Sequence, residues 1–167
     1  MKKFIAIFLV ILLVQSLFGC TRNSDNYEVP ANFYYIQAQD TLDLSESMLR
    51  SEVRETKPYG TQLEELLNEY FKGPITDACS SPFPTELSVV SLEQRDDTLS
   101  LTLSNSFAQI DALDLTVAAT CIALTIFELT SCNLLELRTE GKLANGKEFI
   151  TVSRDLLYLS DTSHEIG

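Results

Sequence analysis

The chain has 167 residues, 45% of them apolar, and its 24 acidic against 12 basic side chains give a net charge of −12. The acidic excess argues against a nucleic-acid partner, because phosphate backbones are bound by basic surfaces, and against electrostatic attachment to anionic lipid headgroups. The apolar content is ample for one packed domain and excludes a chain that is disordered throughout.

The first twenty residues have the layout of an export signal. Lys2 and Lys3 precede an uninterrupted apolar run over residues 4–14, and a polar stretch begins at Thr21. This basic, apolar and polar order is typical of a signal peptide. As a helix the run would be about 16 Å long, roughly half of the hydrocarbon core of a bilayer, so we expect it to be removed.

The end of this segment resembles a bacterial lipobox, with Leu17, Phe18, Gly19 and Cys20 at its four positions. The resemblance implies that the Cys20 thiol accepts a diacylglyceryl group and that cleavage occurs before it; Phe18 departs from the small residue usual there. We therefore predict lipidation at Cys20, with palmitate or a similar acyl chain, and anchoring at the extracytoplasmic face of the cell membrane. An uncleaved signal anchor and a secreted protein with an incidental Cys20 are the alternatives.

The chain is predicted to divide into four segments. Residues 1–19 are the signal peptide, and residues 20–31 are a polar, lipidated tether that holds the domain off the membrane. Residues 32–159 contain no repeat and are predicted to be a single domain, and residues 160–167 a flexible tail.

Two strands and a helix are predicted in the first half of the domain. Residues 33–36 are aromatic and β-branched, and residues 48–56 alternate between apolar and polar. Thr61 and Glu64 form a capping-box pattern at the start of a helix over residues 61–72, which Gly73 and Pro74 end. Its apolar stripe consists of Leu63, Leu66, Leu67 and Tyr70. Residues 75–85 are predicted to form a loop.

A hairpin, a second helix and two more strands are predicted in the second half. Residues 87–92 and 99–103 form the hairpin, with a turn at residues 95–97. Asp114 is expected to cap a helix over residues 114–129, and strands follow at 134–139 and 149–152, the latter after an Asn145-Gly146 turn. Residues 155–159 remain unassigned.

These elements predict an α+β domain in two layers, a small, mostly antiparallel sheet with both helices side by side on one face. Strict alternation in the second hairpin strand places Ser100, Thr102 and Ser104 on the solvated face. The predicted core residues are Leu66, Leu67, Leu101, Leu103, Ile122 and Ile126.

Residues 33–145 resemble the GerMN domain of sporulation and spore-germination proteins. The matching features are the strand over residues 49–54, the helix with Leu66-Leu67 that ends in Gly73-Pro74, and the turn Pro84-Thr85-Glu86-Leu87. The hairpin segment at residues 99–107, the helix with Thr125 near its end, and the strand that leads into Glu140-Gly141 complete the resemblance. Cys121 and Glu128 depart from the family pattern.

The resemblance implies a non-enzymatic protein of the bacterial cell envelope that acts in sporulation, spore germination or cell-wall assembly, through a domain similar to ring-building modules. Its partners would be the membrane, through the anchor at Cys20, and envelope proteins, further copies of itself, or peptidoglycan. A cell-wall (peptidoglycan) hydrolase, or a lipoprotein accessory to one, is the alternative. A solute-binding lipoprotein is disfavoured, because the domain is short for a two-lobed design.

The residue types of catalytic and metal sites form no recognisable pattern in the sequence, so we predict no catalytic residue, no metal and no cofactor. The single histidine, His164, lies in the predicted tail. The spacing of Cys79, Cys121 and Cys132 matches no zinc site, and a Cys79–Cys132 disulfide is left open. The acidic pairs suit helix starts and turns; they are Glu64-Glu65, Asp96-Asp97 and Asp111 with Asp114.

The working surface is therefore predicted to be an exposed sheet edge or a helix face. Residues 33–36 and 149–152 are the candidate edge strands, because they lie near the two ends of the predicted strand order. Strand addition at such an edge is a physical route to assembly.

Overall fold

The computed structural model describes residues 28–38, 48–56 and 62–159, which form seven strands and three α-helices. The predicted α+β class is confirmed. The predictions for the signal peptide, Cys20, most of the tether, Thr61 and the tail with His164 concern residues outside these ranges.

The first sheet has three antiparallel strands in the order β2-β1-β3. β1 spans Val29–Gln37, β2 spans Leu49–Thr56, and β3 is the short strand Cys79–Ser80. β3 lies in the predicted loop over residues 75–85, and two residues are too few to give a sequence signal. Alternate residues of β1 point into the core, and Phe33 and Tyr35 are fully buried.

The second sheet has four strands in the order β4-β5-β6-β7. β4 spans Val89–Arg95, β5 Thr98–Leu103, β6 Leu134–Thr139 and β7 Phe149–Ser153. β4 and β5 form the predicted hairpin, with a bulge near Val89. β5 and β6 are parallel, and β6 and β7 are antiparallel.

The predicted single sheet is thus divided in two. On the side of β1 opposite β2, only the two residues of β3 pair with it, and the long helix between β5 and β6 packs against β1. No strand of the second sheet pairs with β1 in the described ranges.

Helix α1 spans Leu63–Phe71 and packs against β4. Its predicted apolar stripe is observed: Leu67 and Tyr70 are fully buried, and Leu63 and Leu66 pack partly buried against the core. Gln62 precedes the first turn without a side-chain cap, and Gly73 follows the helix at φ +105°, a conformation that favours glycine.

Helix α2 spans Ala112–Leu129 and is capped by Asp111 rather than by the predicted Asp114. The Asp111 Oδ1 atom accepts from the amides of Leu113 at 2.9 Å and Asp114 at 3.0 Å. Both aspartates suit a helix start, but only Asp111 has the extended backbone of an N-cap, and Asp114 lies in the first turn.

α2 is buried on several sides, because it packs against both β1 and β7. Its length and composition would suffice to cross a membrane, but more than half of it is buried inside the domain, as in a core helix of a folded domain. The last helix, α3, spans Arg154–Leu159, and a 3-10 helix spans Asn105–Gln109.

One continuous core joins the two sheets and the helices. Of the predicted core residues, Leu66 is partly buried and the others are fully buried; these are Leu67, Leu101, Leu103, Ile122 and Ile126. Leu135 and Leu137 of β6 continue the buried face of β5.

Candidate interaction surface

β1 is an interior strand, so the prediction that residues 33–36 form an exposed edge is wrong. The Tyr34 amide donates to Thr125 Oγ1 at 3.0 Å, and the Tyr34 carbonyl accepts from the Tyr70 hydroxyl at 2.5 Å. β2 pairs with the opposite side of β1. Side chains of α1 and α2 therefore occupy the backbone positions that a pairing strand would need.

β7 is a terminal strand of its sheet, as predicted for residues 149–152. The Arg154 amide, directly after β7, donates to the Asn133 carbonyl at 2.9 Å, on the side of β6. Because successive amides of an antiparallel strand point alternately towards the partner strand and away from it, the amides of Ile150 and Val152 point towards β6. The amide of Thr151 points away from it and is available to an added strand.

The second sheet has one open face, built from three rows of residues that pair across all four strands. The rows are Ser91–Thr102–Arg138–Phe149, Glu93–Ser100–Glu136–Thr151 and Arg95–Thr98–Leu134–Ser153. None of these residues is buried in the part of the chain that the structure describes. This face includes Ser100 and Thr102, as the alternation in β5 predicts.

The charged groups of the open face pair along their own strands. Arg95 contacts Glu93 at 3.0 Å, and Arg138 contacts Glu136 at 2.8 Å. Ser100 Oγ donates to the same Glu136 oxygen at 3.4 Å, and the Arg138 guanidinium lies 4.5 Å from the centre of the Phe149 ring. Short hydroxyl side chains on β5 lie between these longer side chains, so the face forms a trough of about 480 Å³.

A second polar cluster, around Glu52, is buried and internal. The Glu52 carboxylate accepts from Arg54 Nε at 2.6 Å and from the amides of Ile75 and Thr76 at 3.0 and 3.1 Å. Burial alone would favour the neutral acid, but these hydrogen bonds and the Arg54 charge outweigh it and hold the pKa of Glu52 below its ordinary value. Arg54 in turn donates to the Tyr35 hydroxyl and the Gly73 carbonyl at 2.6 and 2.9 Å.

This cluster is a structural clamp. The Glu52 carboxylate accepts hydrogen bonds from groups of the same chain, and these bonds join β2 to the segment after α1. The Arg54 guanidinium lies 4.9 Å from the centre of the Phe33 ring. The arrangement resembles a satisfied buried ion pair and not a proton-transfer site.

The thiols of Cys79, Cys121 and Cys132 are free and buried, so the Cys79–Cys132 disulfide is not formed. Burial raises the pKa of Cys121 to about 12, and burial likewise raises the pKa of Cys132, which disfavours the reactive thiolate. Within the described ranges, no three cysteine, histidine or acidic side chains form a group that could hold a metal.

The predicted acidic pairs lie at separate places. Glu64 and Glu65 are exposed on α1. Asp96 and Asp97 form the β4–β5 turn, where Asp97 accepts from the Asn133 side chain at 2.7 Å.

The residues of β6 on the open face were not predicted as part of a site. Glu136 and Arg138 alternate with the buried Leu135 and Leu137. This period-two pattern in the sequence indicates that both charged residues lie on the exposed face of the strand. What it could not provide is the parallel pairing that brings Glu136 beside Ser100.

The fold is similar to two solved structures of the sporulation protein GerM from Bacillus subtilis. Its tandem GerMN domains match with a TM-score of 0.58 and 18% identity, over 82% of this chain and 48% of that one. Its first GerMN domain matches with a TM-score of 0.58 and 18% identity, over 76% of this chain and 98% of that one. The chain thus spans about half of the tandem structure and has a GerMN-type fold. No protein-family model and no curated protein matches the sequence.

Proposed function

We propose that this protein is a non-enzymatic, lipid-anchored module of the bacterial cell envelope that binds or assembles through the outer edge of β7. The process it serves would be sporulation, spore germination or cell-wall assembly. The observation that carries the proposal is a GerMN-type fold whose second sheet ends in β7, a strand with no partner on its outer side among the described strands.

The other strand edges are less suited to pairing. β1 is interior and is covered by side chains of both helices. β2 carries the exposed charges of Arg50 and Glu55, β3 has two residues, and β4 carries a bulge and the exposed charges of Glu93 and Arg95. Bulges, charges and short length are devices that discourage strand addition. β7 has five residues without a charge among them.

The location in the envelope is supported by the sequence. The apolar run over residues 4–14 and the lipobox-like segment that ends at Cys20 favour export and acylation. The net charge of −12 disfavours electrostatic attachment to anionic lipid headgroups, but it does not oppose a lipid anchor, because attachment through acyl chains is hydrophobic.

The test is a proline substitution at Thr151, whose amide faces outward. Thr151→Pro removes this donor and should abolish self-association, or the cross-linking of an envelope partner, by the full-length protein in mild detergent. Thr151→Val retains the amide and should behave like the wild type. Ile150→Pro removes a donor to β6 and should lower the thermal midpoint more than Thr151→Pro does.

Undiminished association of a folded Thr151→Pro protein would contradict assembly through β7. If the wild type neither associates nor recovers a partner and instead releases soluble fragments from purified peptidoglycan, the hydrolase alternative replaces the proposal.

A further inference from the structure

The open face of the second sheet is nearly neutral on a strongly acidic protein. The chain carries a net charge of −12, whereas the trough is lined by two arginines and three acids, Arg95, Arg138, Glu93, Asp96 and Glu136. Both arginines are paired with a glutamate of their own strand. Such a surface attracts neither a polyanion nor a polycation strongly, so it is complementary in charge to an uncharged polar ligand.

The hydrogen-bonding groups of this face are of three kinds. The hydroxyls of Ser91, Thr98, Ser100 and Thr102 can both donate and accept, the carboxylates only accept, and the guanidinium groups only donate. A ligand rich in hydroxyl groups can satisfy the carboxylates, and one that also carries amide carbonyls can accept from the arginines. Hydroxyl and acetamido groups occur together on N-acetylated sugars.

Two apolar side chains lie at the margin of the same face. Phe149 and Leu134 are each 38% exposed, and they lie in the two outer rows, on either side of the row that contains Glu136. Exposed apolar groups beside a polar trough suit a ligand with apolar C–H faces and polar edges, as pyranose rings have.

The size of the trough suits an oligomer of a few small units. Its volume of about 480 Å³ lies within the range of about 300–1,000 Å³ found for small-molecule sites. The face is open at its ends, so a longer chain can extend beyond the trough.

We propose that this face binds the uncharged, N-acetylated glycan strand of the bacterial cell wall. The strand would lie in the trough over β4, β5 and β6 and contact Phe149 or Leu134 with a sugar ring. This inference rests on the proposed envelope location but is independent of the β7 edge, since it uses the face of the sheet and not the outward amides of its last strand.

The experiment is co-sedimentation of the full-length protein, in mild detergent, with peptidoglycan sacculi freed of protein and of anionic wall polymers. The wild type should pellet with the sacculi, and soluble chitotetraose should release it. Thr102→Trp places an indole ring in the trough, on its central strand β5, and should reduce the apparent affinity for sacculi by at least about tenfold.

Val53→Trp is the matched control, because it adds the same bulk to a strand residue that is 65% exposed on the other sheet; it should bind like the wild type. Glu136→Gln keeps the shape of the trough but breaks the ion pair with Arg138 and should weaken binding. Thermal unfolding would verify that each variant is folded.

Failure of the wild type to pellet, or equal pelleting of a folded Thr102→Trp protein, would overturn the proposal. Loss of self-association in Thr102→Trp would do so too, because the face would then contact a second copy. If sacculus binding fails while the β7 association persists, only this inference falls; if the association alone fails, only the assembly proposal falls.

Discussion

Glu52 shows how a single buried carboxylate contributes to the stability of this fold. Its side chain is 5% exposed, and that of its partner Arg54 is 14% exposed. The amides of Ile75 and Thr76 bind the same carboxylate, so protonation would weaken several hydrogen bonds together. Removal of one partner from such a buried pair is costly because the other charge remains buried without compensation.

Glu52→Gln is therefore expected to lower the free energy of unfolding at pH 7 by about 3 kcal/mol, the lower end of the range for buried pairs. The folded-state pKa of Glu52 is depressed, so its contribution is present above the unfolded-state value of about 4.3 and is lost as the pH falls through the folded-state pKa. Urea unfolding between pH 7 and pH 3 should show the wild type and the variant converge in acid. Glu64→Gln, at an exposed position, is the control and should change stability little.

Thr125 is a residue whose role could not be predicted from the sequence. It is fully buried on α2, and its hydroxyl accepts a hydrogen bond from the amide of Tyr34, which lies 91 positions earlier in the chain. Local pattern cannot specify such a distant partner. The sequence did show Thr125 within an apolar helix, where a buried hydroxyl requires a hydrogen-bond partner.

At the scale of elements, β5 was the most predictable strand. Its strict alternation places Leu99, Leu101 and Leu103 in the core, all with no exposed surface, and its polar residues on the open face. The start of α2 was less predictable, because Asp111 and Asp114 are both suitable caps and only the backbone distinguishes them. Strand order was beyond prediction, since β1 is central although it comes early in the chain.

Leu101→Ala is expected to cost about 2–5 kcal/mol in the free energy of unfolding, because the truncation leaves a cavity in the shared core. Thr102→Ala, at the adjacent position on the open face, should cost less than Leu101→Ala. Denaturant titration of both variants would measure the difference. A cost below about 0.5 kcal/mol for Leu101→Ala would contradict the inward orientation of this strand face.

At the scale of the whole molecule, the proposed attachment to the membrane would depend on Cys20, which lies outside the described ranges. We expect Cys20→Ala to abolish incorporation of labelled palmitate in the producing bacterium and to release the protein from the membrane fraction. The reason is that the acyl chains, at about 0.8 kcal/mol per buried methylene, would supply the anchoring energy. Cys79→Ala, which alters a buried thiol, should retain the label. Persistent labelling of the Cys20→Ala protein would refute this attachment.

The hydrogen bonds of Tyr34 with side chains of both helices have a consequence for the order in which the chain folds as it is synthesised. A chain that emerges amino-terminal end first presents β1 and β2 long before Thr125 is available to cover the Tyr34 amide. The parallel β5–β6 pair must likewise wait until α2 has emerged between them, and such non-local contacts form slowly. During synthesis the nascent chain thus exposes an aromatic strand edge that can pair with other strands, and such a partly folded state is prone to aggregation.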